Sequence, residues 1–165
     1  MRLSSKAMRA RREDAGFSLA ELLVVVAIIG LFCLVAIPSV GNYIRAGKVR
    51  AGNDMLMGDL RAVRYIAITN HAAGSLTISL NTTTGIWSWT YSDIHGNSVN
   101  RTLEKNVRFT TPSTGSTTVT FASDGTVSTG ATTLVIRGNV LTNVDHQYTI
   151  SVTTIGRLSS AFAKV

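Results

Sequence analysis

Residues 16–32 read GFSLAELLVVVAIIGLF, and the rest of the chain is understood from this stretch outward. From Leu22 to Ile37 no residue is charged or strongly polar, and Pro38 closes the run. One acid, Glu21, sits just ahead of it, four residues after Phe17. As a helix, residues 17–37 would span roughly 30 Å, about the hydrocarbon thickness of a bilayer. Each Leu, Val or Ile favours insertion by about 0.3–0.6 kcal/mol, against about 2.5–3.5 kcal/mol for a mid-membrane acid. The run therefore outweighs one carboxylate near its end. It is also longer than the roughly 7–15 apolar residues of a secretory signal, and no small-x-small cleavage site follows it. A plain single-span anchor leaves Glu21 unexplained.

An intramembrane acid calls for a partner. If the chain were cut between Gly16 and Phe17, the new α-amino group of Phe17 would lie one helical turn from Glu21. In a bundle of parallel helices the same carboxylate can meet the terminal amine of a neighbouring subunit. A slipped register would leave a charge unpaired in lipid, so such a pair fixes the axial stagger between subunits.

The chain has 165 residues, enough for one domain and an appendage. Hydrophobic residues make up 45%, and the mean hydropathy is +0.23, with the excess concentrated between Phe17 and Ile37. The remainder is rich in Thr, Ser, Gly and Asn, the composition of an exported β-rich domain. Of the net charge of +7, residues 1–16 contribute +3, from Arg2, Lys6, Arg9, Arg11 and Arg12 against Glu13 and Asp14. Positive charge just before an apolar run keeps the N-terminus cytoplasmic and sends the C-terminal part across the membrane. Cys33 is the only cysteine, so no intrachain disulfide forms. It reads as a small hydrophobe, and the bulky Phe32 before it argues against a lipoprotein processing site.

With these features in place, GFSLAELLVVVAIIGLFCLVAIPS resembles the N-terminus of type IV pilins and type II secretion pseudopilins. A basic leader ends in Gly16, Phe17 follows, Glu21 becomes the fifth mature residue, and Pro38 the twenty-second. The resemblance implies cleavage after Gly16 by a prepilin peptidase, N-methylation of Phe17, and passage from the bacterial inner membrane into a helical filament. It implies as partners other pilin or pseudopilin subunits, the peptidase, an inner-membrane assembly platform and membrane lipid.

Beyond the run, Pro38 lacks the amide proton for the preceding turn, so a kink or local melting is expected there. Gly41, Gly47, Gly52 and Gly58 weaken the helix further, by roughly 1 kcal/mol each. Val49, Leu56, Leu60, Val63 and Ala67 form one stripe, with Asp59, Arg61 and Arg64 largely elsewhere, which predicts a helix to about Asn70. From Leu76 the period changes to two. Segments 75–80, 85–91, 116–123, 132–138 and 147–154 read as strands, with a shorter candidate at 106–110. Asp124-Gly125 predicts a tight turn between Phe121 and Val127. The expected fold is α+β and pilin-like. A long N-terminal helix, transmembrane in its first half and amphipathic in its second, packs on an antiparallel β-sheet head. The expected segments are a cleaved leader at 1–16, an assembly helix at 17–37, its amphipathic continuation at 38–70, and the head at 71–165.

The order of features in the head, with Phe121-x-x-x-Gly125 and a last strand ending in TIGRLS (154–159), resembles the GspH/FimT family of minor pseudopilins. Members of that family sit at or near a filament tip or prime its assembly, in protein secretion or in pili. Some FimT-like pilins bind DNA through a basic Gly-Arg-x-Arg motif. Here Gly156-Arg157-Leu158-Ser159 keeps the first arginine and has serine at the second, so the resemblance does not carry DNA binding across intact. Arg157, Lys164 and Arg137 are the residues such a role would use.

Trp87 and Trp89 alternate, which puts both on one face of a strand; a buried face is the plainer reading and an exposed aromatic platform the sharper one. His71, His95 and His146 lack ligand spacing and read as turn and surface residues, with no metal site. No nucleophile elbow, phosphate-cradling loop or catalytic carboxylate pair is present, which points away from an enzyme and away from cofactors. The expected function is that of a minor pilin or pseudopilin subunit that works by assembly, its head facing neighbouring subunits or an exported protein. The alternatives are a DNA-binding minor pilin acting in DNA uptake, and a membrane-anchored β-domain that never polymerises.

Overall fold

The computed structural model describes residues 18–113, 115–141 and 144–165, with residues 35–39 and 141 described as backbone only. One helix, α1 (Leu19–Thr69), is followed by eight strands among the described residues. These are β1 (Gly74–Asn81), β2 (Ile86–Ser92), β3 (Ser98–Thr102), β4 (Val107–Thr111), β5 (Ser116–Phe121), β6 (Thr132–Leu141), β7 (Val144–Val152) and β8 (Leu158–Lys164). The chain divides after Pro38 into two compact units. In the first, the helix is apolar on every side. The helix continues unbroken through Pro38.

In the second unit the expected stripe is the buried face of the helix: Val49, Leu56, Leu60, Val63 and Ala67 are all buried. The stripe packs into a core shared with two four-stranded antiparallel sheets, ordered β3-β2-β1-β5 and β4-β6-β7-β8. The fold is therefore α+β, a helix packed on antiparallel sheets. Phe109 of β4 joins the two sheets, its ring lying edge-on to Trp87 at 5.3 Å and to Trp89 at 6.5 Å between centroids. Both tryptophans are buried, so the plainer reading holds and no aromatic platform is exposed there.

The helix ends in a Schellman motif. The Ala72 amide bonds the Ala67 carbonyl at 3.2 Å and the His71 amide that of Ile68 at 3.4 Å. His71, with φ of 49°, takes the left-handed position that glycine usually fills. The Asp124-Gly125 turn forms as expected: Phe121 bridges Val127, and Gly125 has φ of 81°.

Several expectations need correction. Asp59 does not lie off the stripe; it is only 7% exposed, because three donors face its carboxylate. Two strands are added. β3 is polar and largely exposed, so it shows no alternation of apolar residues. TIGRLS does not end the last strand. It turns from β7 into β8, whose mostly small and largely exposed side chains conceal seven residues paired with β7. His146 lies within β7, its ring packed edge-on against Phe162 at 5.1 Å, and not in a turn.

Candidate functional site at the helix start

Residues 18–21, SLAE, begin α1 with a capping box. Ser18 is the N-cap, and its hydroxyl accepts a hydrogen bond from the Glu21 amide at 3.2 Å. Glu21, three residues on, accepts a bond from the Ser18 amide through Oε2 at 2.9 Å. Two amides that the helix start leaves without partners are thereby satisfied, and a negative charge sits at the positive end of the helix dipole. The second carboxylate oxygen, Oε1, accepts no bond among the described residues. The expected cleavage and methylation positions, Gly16 and Phe17, lie outside the described residues.

From Leu22 to Leu34 the helix offers no charged or strongly polar side chain. Its large side chains from Leu19 to Leu34 are 48–78% exposed, and Cys33 is exposed with them. A helix apolar all round needs cover, either lipid or other helices. Among the described residues no helix is long and apolar enough to cross a membrane.

The head holds two polar locks that the residue pattern did not single out. Asp59 accepts bonds from Trp89 Nε1 at 2.7 Å and from the Tyr91 hydroxyl at 2.9 Å, and Arg101 Nε lies 3.7 Å away. Burial first, and then the hydrogen bond to Asp59 and its charge, raise the Tyr91 pKa above the ordinary tyrosine value. The pairing of Asp59 with Trp89 and Tyr91, across 30 residues or more of chain, is invisible to a local pattern. In the second lock, Arg64 Nε donates to the Gly125 carbonyl at 3.0 Å. A Cβ on Gly156 would overlap that same carbonyl, so the turn at 153–157 closes directly over it. The Phe-x-x-x-Gly and Ile-Gly-Arg segments thus meet at one place in the fold.

The three basic residues considered for DNA are not brought together. Arg137 projects from β6 and contacts Asp145 Oδ2 at 2.8 Å, an ionic contact without the alignment of a hydrogen bond. Arg157 precedes β8 and Lys164 ends it, about 20 Å apart along the strand. Arg137 and Lys164 also belong to opposite faces of their sheet: Arg137 is in register with Gln147, and Lys164 with its neighbour His146. Arg101 is occupied by Asp59. Among the described residues, no group of His, Cys, Asp and Glu could hold a metal ion.

The capped apolar helix and the antiparallel head together define a pilin-like architecture. Residues 11–37 match the family model described as the prokaryotic N-terminal methylation motif. That match supports a type IV pilin-like subunit processed as a prepilin, with prepilin peptidase and other pilins as its partners. No curated protein and no solved structure matches the chain.

Proposed function

We propose that the chain is a minor pilin or pseudopilin of the GspH/FimT kind. It is cut between Gly16 and Phe17, methylated on Phe17, and held in the bacterial inner membrane by residues 17–37 with its head outside the cytoplasm. From there it enters a type II secretion pseudopilus or type IV pilus, at or near the tip, and serves secretion or pilus assembly. Glu21 sets register by pairing with a terminal amine, and Pro38 marks the place where the helix yields on leaving the bilayer. The observation that carries this reading is the helix surface from Leu19 to Leu34, apolar on all sides and exposed, with Glu21 as the one charge at its start. The methylation motif over residues 11–37 supports its coarser part, a pilin-like subunit processed as a prepilin.

The test is incorporation. Glu21→Ala is expected to insert in membranes as the parent does and to be lost from sheared filaments. Normal incorporation of that variant overturns the role given to the carboxylate. The DNA-uptake alternative gains no support from the geometry, since Arg157, Lys164 and Arg137 are dispersed over the head.

A further inference from the structure

The head carries a concentration of positive charge apart from those three residues. A cleft of about 670 Å³ opens between the start of β4, the end of β6 and the helix. Arg45 lines it from α1, Lys105 and Arg108 from the β4 region, and Asn106, Ser113 and Asn139 add neutral polar groups. No acidic side chain among the described residues lines the cleft. The acids nearest in sequence are already engaged: Glu104 pairs with Lys48 at 3.1 Å, and Asp145 is taken by Arg137 and Asn139. Arg45, Lys105 and Arg108 themselves form no ion pair among the described residues. Three unpaired cations around one concavity repel one another unless an anion enters. Two of them are arginines, whose planar forks suit the paired oxygens of a phosphate.

We propose that this cleft binds the phosphate-bearing headgroup of an anionic membrane lipid. The chemistry shared with any phosphate is the arginine fork; the lipid is favoured by where Arg45 lies in the chain. Arg45 follows Ile37, the last residue of the apolar run, by only eight positions in the sequence. Basic residues that close to a membrane-embedded segment are drawn to anionic headgroups, at about a fivefold gain each. A duplex, by contrast, needs cations spread along a track of phosphates. Here Arg45, Lys105 and Arg108 gather in one hollow, and Arg157 lies in the turn at the other end of β8 from Lys164. The proposal rests on the membrane anchoring given under the proposed function.

The test uses the full chain in neutral detergent, titrated with phosphatidylglycerol or phosphatidylcholine and read by native mass spectrometry. The parent is expected to retain phosphatidylglycerol about tenfold or more over phosphatidylcholine. Arg45→Gln/Lys105→Gln/Arg108→Gln is expected to lose that preference, whereas the charge-matched Arg61→Gln/Arg157→Gln/Lys164→Gln keeps it. Equal retention by the cleft variant, or equal loss in the matched variant, overturns the proposal. So does displacement of the lipid by inorganic phosphate at equal concentration, or by a short DNA duplex that requires the same three residues. Circular dichroism checks that the cleft variant is folded. If it is not, Arg108→Gln alone carries the test, with a loss of about fivefold expected and no loss overturning the proposal. Alkaline carbonate extraction of native membranes reads the anchoring separately: release of the chain refutes the anchoring, while the detergent titration still reports the chemistry of the cleft.

Discussion

Ser18 and Glu21 hold each other in a reciprocal pair of hydrogen bonds, 2.9 Å from the Ser18 amide to Oε2 and 3.2 Å from the Glu21 amide to the serine hydroxyl. Glu21 thus has a local task as well as the intersubunit one proposed for it. Substitution separates the two. Glutamine can serve in a capping box but carries no charge. Glu21→Gln is expected to keep the helix start and to fail in filament incorporation, much as Glu21→Ala does. Ser18→Ala should cost about 0.5–2 kcal/mol of local helix stability and leave incorporation largely intact. Incorporation counted in sheared filaments decides it. If Glu21→Gln assembles normally, the carboxylate is a cap and no more.

Asp59 ties the helix to the first sheet through Trp89 and Tyr91. Asp59→Ala removes the acceptor and leaves a buried indole N–H without a partner. A loss of about 2–4 kcal/mol in unfolding free energy is expected from denaturant titration of the full chain in detergent. Trp89→Phe removes the donor and leaves a cavity in the core, so in the double variant the shared hydrogen bond is lost only once and the total should fall short of the sum of the two single losses.

Turn geometry gives substitutions of opposite sign. His71 occupies the left-handed cap of α1, so His71→Gly should stabilise by about 0.5–1 kcal/mol. Gly125→Ala would place a methyl 2.7 Å from Ile68 Cδ1 at φ of 81°, and should destabilise by about 2–4 kcal/mol. Thermal melting of both variants beside the parent checks the signs.

Titration of the head has a direction at each end of the pH range. The raised Tyr91 pKa, due first to burial and then to Asp59, means that its contribution is full below the ordinary tyrosine value. That contribution is lost as the pH rises through the folded value. Tyr91→Phe should therefore flatten the fall in stability above about pH 10. Asp93 and Asp124 are held below the ordinary carboxylate value, chiefly by side-chain hydrogen bonds from Asn97 and Thr126. Their contributions are present above that value and are lost as the pH falls through the depressed ones. Stability profiles of Asp93→Asn and Asp124→Asn should lose part of the acid limb.

The helix and its buried stripe were legible because their signal is periodic: Val49, Leu56, Leu60, Val63 and Ala67 repeat at helical spacing, and each is buried. Six strands announced themselves through β-rich composition. β3 and β8 did not, since an exposed edge strand is stabilised by backbone pairing and needs no apolar side chains. Asp59 was misplaced because a charged residue reads as surface until donors from distant strands are known. The basic cleft was hidden for the same reason. Arg45, Lys105 and Arg108 are 60 residues or more apart between helix and sheet, and only the fold makes neighbours of them. By contrast, the candidate site at the helix start was fully local. Ser18, Glu21 and the apolar run beyond them are consecutive, so their chemistry could be read in order.

The proposed life of this subunit begins with a cut that exposes an amine one turn from a carboxylate. Intact-mass and N-terminal peptide mass spectrometry on protein recovered from sheared filaments tests that most directly. The expected species is a chain that starts at Phe17 and carries one added methyl group on its terminal nitrogen. Recovery of filament-borne protein that still begins at Met1, with its arginine-rich leader attached, would contradict it.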